Sequence, residues 1–402
     1  MDNELQTAIS RLKDGIAPGH SALISDITVG IDFLTDFWTQ NYLNEYISKG
    51  GNRIQFIMGR QGSGKTHLIE YFLSRAENYK VVSFSAREIW VHDFKEIFFE
   101  VLRQCDIEEC LQRCSSIIVK ELAFSPEEYN GRFVDYLASK GLGDPITKRE
   151  IRLQLNRLFM SNPLMDVNFA YTCALLTGGL LGHPLLEEPA REALLGWMNG
   201  SKEVKLSTLR NLGLAPVRIT KNNARHMLRS LVEVIKMAGY NGLVIAVDDL
   251  EMLVSRDNTE SIRYTRLKRE DAYESIREII DEIDTLCNIF FLFAFDRKLI
   301  DDDINGIKSY QALWLRIQNE IKSDRVNRFS NLIDLDRIPM YDVRTVMDMS
   351  ARIAELLNSA GDRPAQSLNE EAARELLLKS DFSEQALPRL VVMATLGKWE
   401  AN

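Results

Sequence analysis

Apolar residues along the 402-residue chain recur with two different periods. Near the N-terminus Leu5, Ile9, Leu12 and Ile16 lie on one helical face, and Gly15, Pro18 and Gly19 close that helix. Ile31, Leu34, Phe37, Trp38, Tyr42 and Leu43 repeat the pattern, so residues 1–50 read as an N-terminal helical segment. Gly50-Gly51-Asn52 then turns the chain, and the pattern changes at 54–58 to an apolar run with the length and β-branched content of a buried strand. Helical spacing returns at Leu68, Ile69, Tyr71 and Phe72 and runs to about residue 76. A strand at 80–85 and an amphipathic helix at 90–102 follow. A β-α-β-α order predicts a parallel, doubly wound sheet.

The next strand is expected within a few tens of residues, yet it does not come until 242–247. The intervening stretch is helical in pattern, clearest at 149–159, 187–197 and 222–238, with loops at Ser125-Pro126 and at 141–145. This predicts a large helical insertion, at about 105–235, inside a domain spanning 51–340. A helix at 272–286, a strand at 289–295, a helix at 311–321 and a fifth strand at 331–338 complete that domain. Three helical stretches, 343–357, 369–378 and 383–396, make residues 341–402 a compact helical lid. The fold class is therefore α/β, a parallel sheet with a helical insertion and a C-terminal helical lid.

Composition narrows the reading. Hydrophobic residues make up 45% and charged residues 27%, an ordinary soluble balance. The net charge of −9 advertises no global basic surface, so DNA binding needs a local patch or a partner. Residues 256–271 are a charge-dense stretch holding Arg256, Arg263, Arg266, Lys268 and Arg269; a solvated loop and helix face is its expected form, and a DNA-facing or subunit-facing surface is the alternative. The first residues are acidic and polar, with no secretory signal. The longest apolar stretch, 171–186, is interrupted by Gly178, Gly179, Gly182, His183 and Pro184, too broken to span a membrane. Five cysteines without a regular framework fit a reduced, cytoplasmic setting, and Cys105, Cys110 and Cys114 lack a fourth ligand at finger-like spacing.

The candidate chemistry begins where the first strand ends. Gly59-Arg60-Gln61-Gly62-Ser63-Gly64-Lys65-Thr66, followed by His67 and a helix, is the glycine-rich loop that strand–loop–helix phosphate sites use. The glycines let the backbone curl around phosphate, Lys65 reaches the β- and γ-phosphates, and Thr66 offers a hydroxyl to Mg²⁺. The bound nucleotide is expected to be ATP with Mg²⁺. The strand at 244–247 ends in Asp248-Asp249. Asp248 is expected in the Mg²⁺ shell and Asp249 as the carboxylate that activates water. Asp is one methylene shorter than the Glu usual there, which predicts slow turnover. Glu251 is the fallback for that role, but two residues further on it is expected to point away from the site. Asp296, at the end of the fourth strand, stands where a γ-phosphate-sensing side chain sits. Arg325 and Arg328 precede the fifth strand as candidate arginine fingers, and Arg389, after Pro388, is the candidate lid arginine.

Together these motifs, over roughly residues 50–400, resemble an AAA+ ATPase of the origin-recognition type, a P-loop NTPase fold. A narrower likeness rests on Leu195-Gly196-Trp197-Met198-Asn199-Gly200 with 209–214 after it, on 238–244 running into Asp248-Asp249-Leu250-Glu251, and on Arg269 with Ala272-Tyr273-Glu274. It resembles the BrxD-like ATP-binding proteins of BREX phage-defence loci. That resemblance implies a bacterial cytoplasmic ATPase encoded beside helicase- or methylase-type partners and acting on DNA. The expected protein is an ATPase that assembles with itself, meets DNA directly or through other defence-locus proteins, and uses no membrane. The rival expectations are a slow-hydrolysing signalling-type switch and an assembly scaffold. The switch class usually carries Gly-x-Pro, which Ala386-Leu387-Pro388-Arg389 does not supply.

Overall fold

The computed structural model describes residues 3–19, 21–142, 145–257, 262–318, 327–337, 341–359 and 365–398. At its centre β1 (Asn52–Gly59), β2 (Tyr79–Ser85), β3 (Gly242–Asp248), β4 (Ile289–Asp296) and β5 (Leu332–Asp334) form one sheet. The strand order is β2-β3-β4-β1-β5, and every neighbouring pair is parallel. Helices cover both faces, which is why the strands read as continuous apolar runs rather than alternating ones. On β4, Phe291, Phe293 and Phe295 enter the cluster on one face, while Phe290, Leu292 and Ala294 enter the cluster on the other. In register, Gly59 lies opposite Asp296 and Ser85 opposite Asp248, while Val247 opposite Phe293 ends β3 a little short of β4, so the carboxyl ends of β1 to β4 all emerge at one edge.

Between β2 and β3 the described residues are helices and loops. The first helix is Phe94–Cys105, starting later than the apolar spacing at 90–102 predicts. Asp93 decides the start: its carboxylate accepts from the Lys95 amide, an N-cap that leaves Trp90 outside. Helix Ala224–Met237 packs beside it and returns the chain to β3. Helices Ile107–Glu121 and Val167–Leu181 lie against each other, with Cys110, Cys114 and Cys173 buried in the same apolar cluster as the sheet face. Burial pushes the Cys105 and Cys114 thiols up to about 12 and that of Cys110 to about 11, so they act as small apolar packing residues. Among the described residues no helix is long and apolar enough to cross a membrane.

The N-terminal segment serves two clusters. Ile31, Leu34, Phe37, Trp38, Tyr42 and Leu43 pack on the second sheet face, whereas Ala8, Ile9, Leu12, Leu23 and Ile27 pack among the C-terminal helices Val343–Ser359, Glu370–Ser380 and Leu387–Thr395. Trp38 and Phe72 both meet Phe290 edge to face, with Trp38 also on Phe72.

Two expected elements differ. The fifth strand is three residues, not the span 331–338. It stops because Asp334 and Asp336 turn to cations: Arg297 Nη2 donates to both Asp334 oxygens at 2.7 and 2.6 Å, and its Nε donates to Asp336 at 3.2 Å. The helix expected at 272–286 runs instead over Arg266–Asp281, because the Thr265 hydroxyl accepts from the Lys268 amide and caps it earlier. The basic stretch is thus part helix face: Arg266 pairs with Glu270, Arg269 donates to Asn305, and Lys268 lies 3.5 Å from the centre of the Trp90 ring.

Phe290 is fully buried where the N-terminal aromatic residues lock onto the sheet. Phe290→Ala is expected to cost about 3–5 kcal/mol of stability through the cavity it leaves. Phe382→Ala, at a side chain 93% exposed, is the control expected to leave the urea midpoint in place.

Candidate functional site

The loop after β1 is built by glycine. Gly62 (φ 80°) and Gly64 (φ 88°) take the left-handed backbone that other residues resist, and Gly64 is the N-cap of helix Lys65–Ser74. A Cβ on Gly59 would stand 2.4 Å from Ser63 Oγ, so the loop closes over this position only if it is glycine. The helix N-terminus brings its partial positive charge to the loop. Lys65 folds back so that its Nζ donates to the carbonyls of Gly59 (2.9 Å) and Arg60 (3.2 Å) and lies 4.0 Å from Asp296 Oδ2.

The end of β3 supplies the carboxylates. Thr66 Oγ1 donates to Asp248 Oδ2 at 2.6 Å, joining residues far apart in sequence. The Asp249 amide donates to Asp248 Oδ1 at 2.8 Å. Burial, and then the Asp249 charge beside it, push the Asp248 carboxyl up from its ordinary value. Asp249 itself sits at φ 58°, a left-handed conformation that Asp tolerates. Its Oδ2 accepts from Ser85 Oγ at 2.6 Å, and its Oδ1 is 3.4 Å from Arg87 Nε. Hydroxyl and carboxylate oxygen side by side are a hard donor set, and a Mg²⁺ ion takes only one or two protein oxygens while water and phosphate fill the rest. The residues present therefore fit that ion.

Glu251 departs from expectation. It does not point away but lines the cavity, with 18% of its side-chain surface exposed. The reason is the single 3-10 turn Leu250–Leu253 that follows Asp249 and swings position 251 back over the sheet edge. Glu251 Oε2 accepts from the Asp296 amide at 2.8 Å, and burial pushes its carboxyl up to about 7.

These groups open on one cavity of about 960 Å³, within the size range of small-molecule sites. One end is polar: Gln61, Gly62, Ser63, Gly64, Lys65, Thr66, His67, Asp248, Asp249, Glu251 and Asp296. The other is apolar, formed by Leu12, Ile16, Pro18, Ile27, Val29 and Ile31 from the N-terminal segment facing Tyr341, Met349, Ile353 and Val392 from the lid. The stretch at 14–19 that crosses this end is tied down by the Gly19 amide, which donates to Glu70 Oε2 at 3.0 Å. Arg389 enters from the lid: a Cβ on Gly62 would stand 2.6 Å from Arg389 Cβ. Arg389 Nε and Ser63 Oγ are buried without a hydrogen-bond partner, two polar atoms beside the cavity with capacity to spare.

Three expected site residues sit differently. Arg60 does not reach the cavity: its guanidinium donates to the carbonyls of Ser380 (3.2 Å) and Ser383 (2.8 Å), and its amide donates to Asp336. Its side chain therefore joins loop to lid. The His67 ring lines the cavity wall, but its Nε2 is 2.8 Å from Thr28 Oγ1. Because the Thr28 hydroxyl gives its proton to the Ile24 carbonyl, His67 Nε2 is the donor, and burial holds this imidazole down to about 4, neutral at pH 7. Arg328 lies away from the cavity, exposed, with its guanidinium 4.9 Å from the centre of the Phe37 ring. Arg325 lies outside the described residues. Position just before the loop offered the N-terminal segment as a cover for the base, with core packing the favoured expectation, whereas the structure makes it one wall of the apolar end; sequence reasoning misplaced Glu251.

A family model described as "BREX system ATP-binding protein BrxC/D" matches residues 2–392. Neither a curated protein nor a solved structure matches the chain.

Lys65→Ala removes the ammonium at the polar end and is expected to abolish ATP binding in calorimetry. Arg389→Ala is expected to weaken it about tenfold or more, the loss of one charged hydrogen bond.

Proposed function

The chain belongs to the BREX system ATP-binding protein BrxC/D family, and from that premise we propose that it binds ATP with Mg²⁺ and hydrolyses it to drive or gate assembly of a DNA-acting complex in phage defence. The observation that carries this reading is the convergence of Lys65, the Thr66–Asp248 pair, Asp296 and Arg389 on one cavity with a polar and an apolar end. An adenine ring fits the apolar end, between the N-terminal segment and the lid, and the triphosphate lies along the glycine loop. The strand order β2-β3-β4-β1-β5 and the lid support an AAA+ type of P-loop fold.

In this reading Thr66 and Asp248 hold Mg²⁺, which supplies charge neutralisation at the β- and γ-phosphate oxygens. Lys65, already within 4.0 Å of Asp296, exchanges its bonds to the Gly59 and Arg60 carbonyls for phosphate oxygens. Arg389 Nε turns its spare donor to phosphate, and since Arg389 and Arg60 both belong to the loop–lid contact, nucleotide occupancy and lid position move together. Arg328, exposed before β5, is the candidate arginine finger toward a neighbouring copy in this reading, with Arg325 the alternative. Partners are a second copy of the chain, DNA reached directly or through other defence-locus proteins, and those proteins themselves. The setting is cytoplasmic.

A second reading, the slow-hydrolysing switch or scaffold, draws on a specific observation: Asp249 is held by Ser85 and Arg87 rather than free over the loop. Turnover measured with and without duplex DNA separates the two. The first reading expects ATP to raise the mass seen by light scattering above that of a monomer, and duplex DNA to raise turnover several-fold. A chain that stays monomeric with ATP and hydrolyses it slowly regardless of DNA supports the second.

A further inference from the structure

Beside Asp248 and Asp296, the carboxylates of Asp249 and Glu251 flank the polar end of the cavity, and the order of the strands separates them. β3 stands between β2 and β4, and β4 is the neighbour of β1, which carries the glycine loop. Asp249 leans toward β2: its Oδ2 is bonded to Ser85 Oγ at the end of that strand, and its Oδ1 lies 3.4 Å from Arg87 Nε. Both its oxygens thus have partners on the β2 side. Glu251 leans the other way, toward β4. Its Oε2 accepts from the Asp296 amide at 2.8 Å, and the Asp296 side chain is in turn 4.0 Å from Lys65 Nζ. The Glu251 carboxylate thus lies one residue removed from the lysine, through Asp296, and its Oε1 is 4.0 Å from Arg87 Nη2.

We propose that Glu251, rather than Asp249, is the carboxylate that takes the proton from the attacking water. The assignment rests on the ATPase reading above. The water oxygen bonds to the γ-phosphorus as the bond from that phosphorus to the bridging oxygen breaks. ADP leaves with the bonding pair, and the water proton passes to the Glu251 carboxylate and from there to phosphate or solvent. Asp249 then has a positioning part, holding Arg87 and the end of β2 against β3. A carboxyl raised by burial is suited to accept and return a proton near neutral pH, in keeping with this geometry. The longer side chain at position 251 also makes good the missing methylene at 249.

The test uses the full-length chain in single-turnover hydrolysis of labelled ATP, with and without duplex DNA, beside ATP affinity by calorimetry and the identity of the nucleotide retained on the protein. Glu251→Gln is expected to bind ATP within about threefold of the parent, to retain it as ATP rather than ADP, and to hydrolyse it about 100-fold or more slowly, the usual contribution of a general base. Asp249→Asn is expected to lose no more than about tenfold, and Glu251→Asp to recover part of the rate lost in Glu251→Gln. The assignment is overturned if Asp249→Asn shows the large loss while Glu251→Gln turns over normally. It is also overturned if Glu251→Gln loses affinity as much as rate, which marks a structural prop. If the parent chain binds ATP but hydrolyses none under either condition, the ATPase reading falls first and takes the assignment with it.

Discussion

The parallel register of the sheet is the constraint on which the site depends. Because β1, β3 and β4 run the same way and finish at the same side of the sheet, the glycine loop, the Asp248-Asp249 pair and Asp296 all emerge at one edge. The Thr66–Asp248 hydrogen bond at 2.6 Å is the product of that alignment, made between two segments that share no local contact in the chain. A slip of one residue in either strand would invert its buried faces, so core packing and site geometry are enforced by the same register. Phe290 to Phe295, buried on both sides, make such a slip costly.

The lid is joined to the phosphate loop by more than apolar contact. Arg60 bonds the carbonyls of Ser380 and Ser383, the Ala386 amide donates to the Gln61 carbonyl at 3.0 Å, and Arg389 lies on Gly62. Arg60 and Arg297 share Asp336, so loop, β4 end and β5 end meet in one ion-pair cluster, which Arg60 ties to the carbonyls of Ser380 and Ser383. The N-terminal helices complete the lid core from the other side, and the 14–19 stretch closes the apolar end of the cavity. The cavity is thus walled by three regions that are remote in sequence.

Much of this was legible in the chain itself. The apolar runs at 54–58, 244–247 and 289–295 predicted β1, β3 and β4, because strands covered on both faces need unbroken apolar side chains. The octet ending in Gly64-Lys65-Thr66 predicted the loop, because that backbone path demands glycine. Boundaries were less legible where a polar side chain decided them: Asp93 and Thr265 cap their helices several residues from where the apolar period begins or ends. The fifth strand was overestimated because 331–338 carries strand-like residues, whereas Asp334 and Asp336 are drawn off by Arg297 and Arg60.

The sequence by itself determined the α/β class, the long helical stretch between β2 and β3, and the glycine loop with its lysine and threonine, since each is written in local period or in a contiguous motif. Only the tertiary structure decided where side chains of the same charge would point. Arg60 and Arg389 stand on opposite sides of the loop–lid contact, one bonded to the lid and one beside the cavity. Asp249 and Glu251, two residues apart, lean toward different strands. A hydrogen-bond partner from a distant strand sets each direction, and sequence spacing carries no record of that partner. The glycine loop Gly59 to Thr66 is thus written in one contiguous motif, while the neighbours that β2 and β4 supply set where Asp249 and Glu251 point.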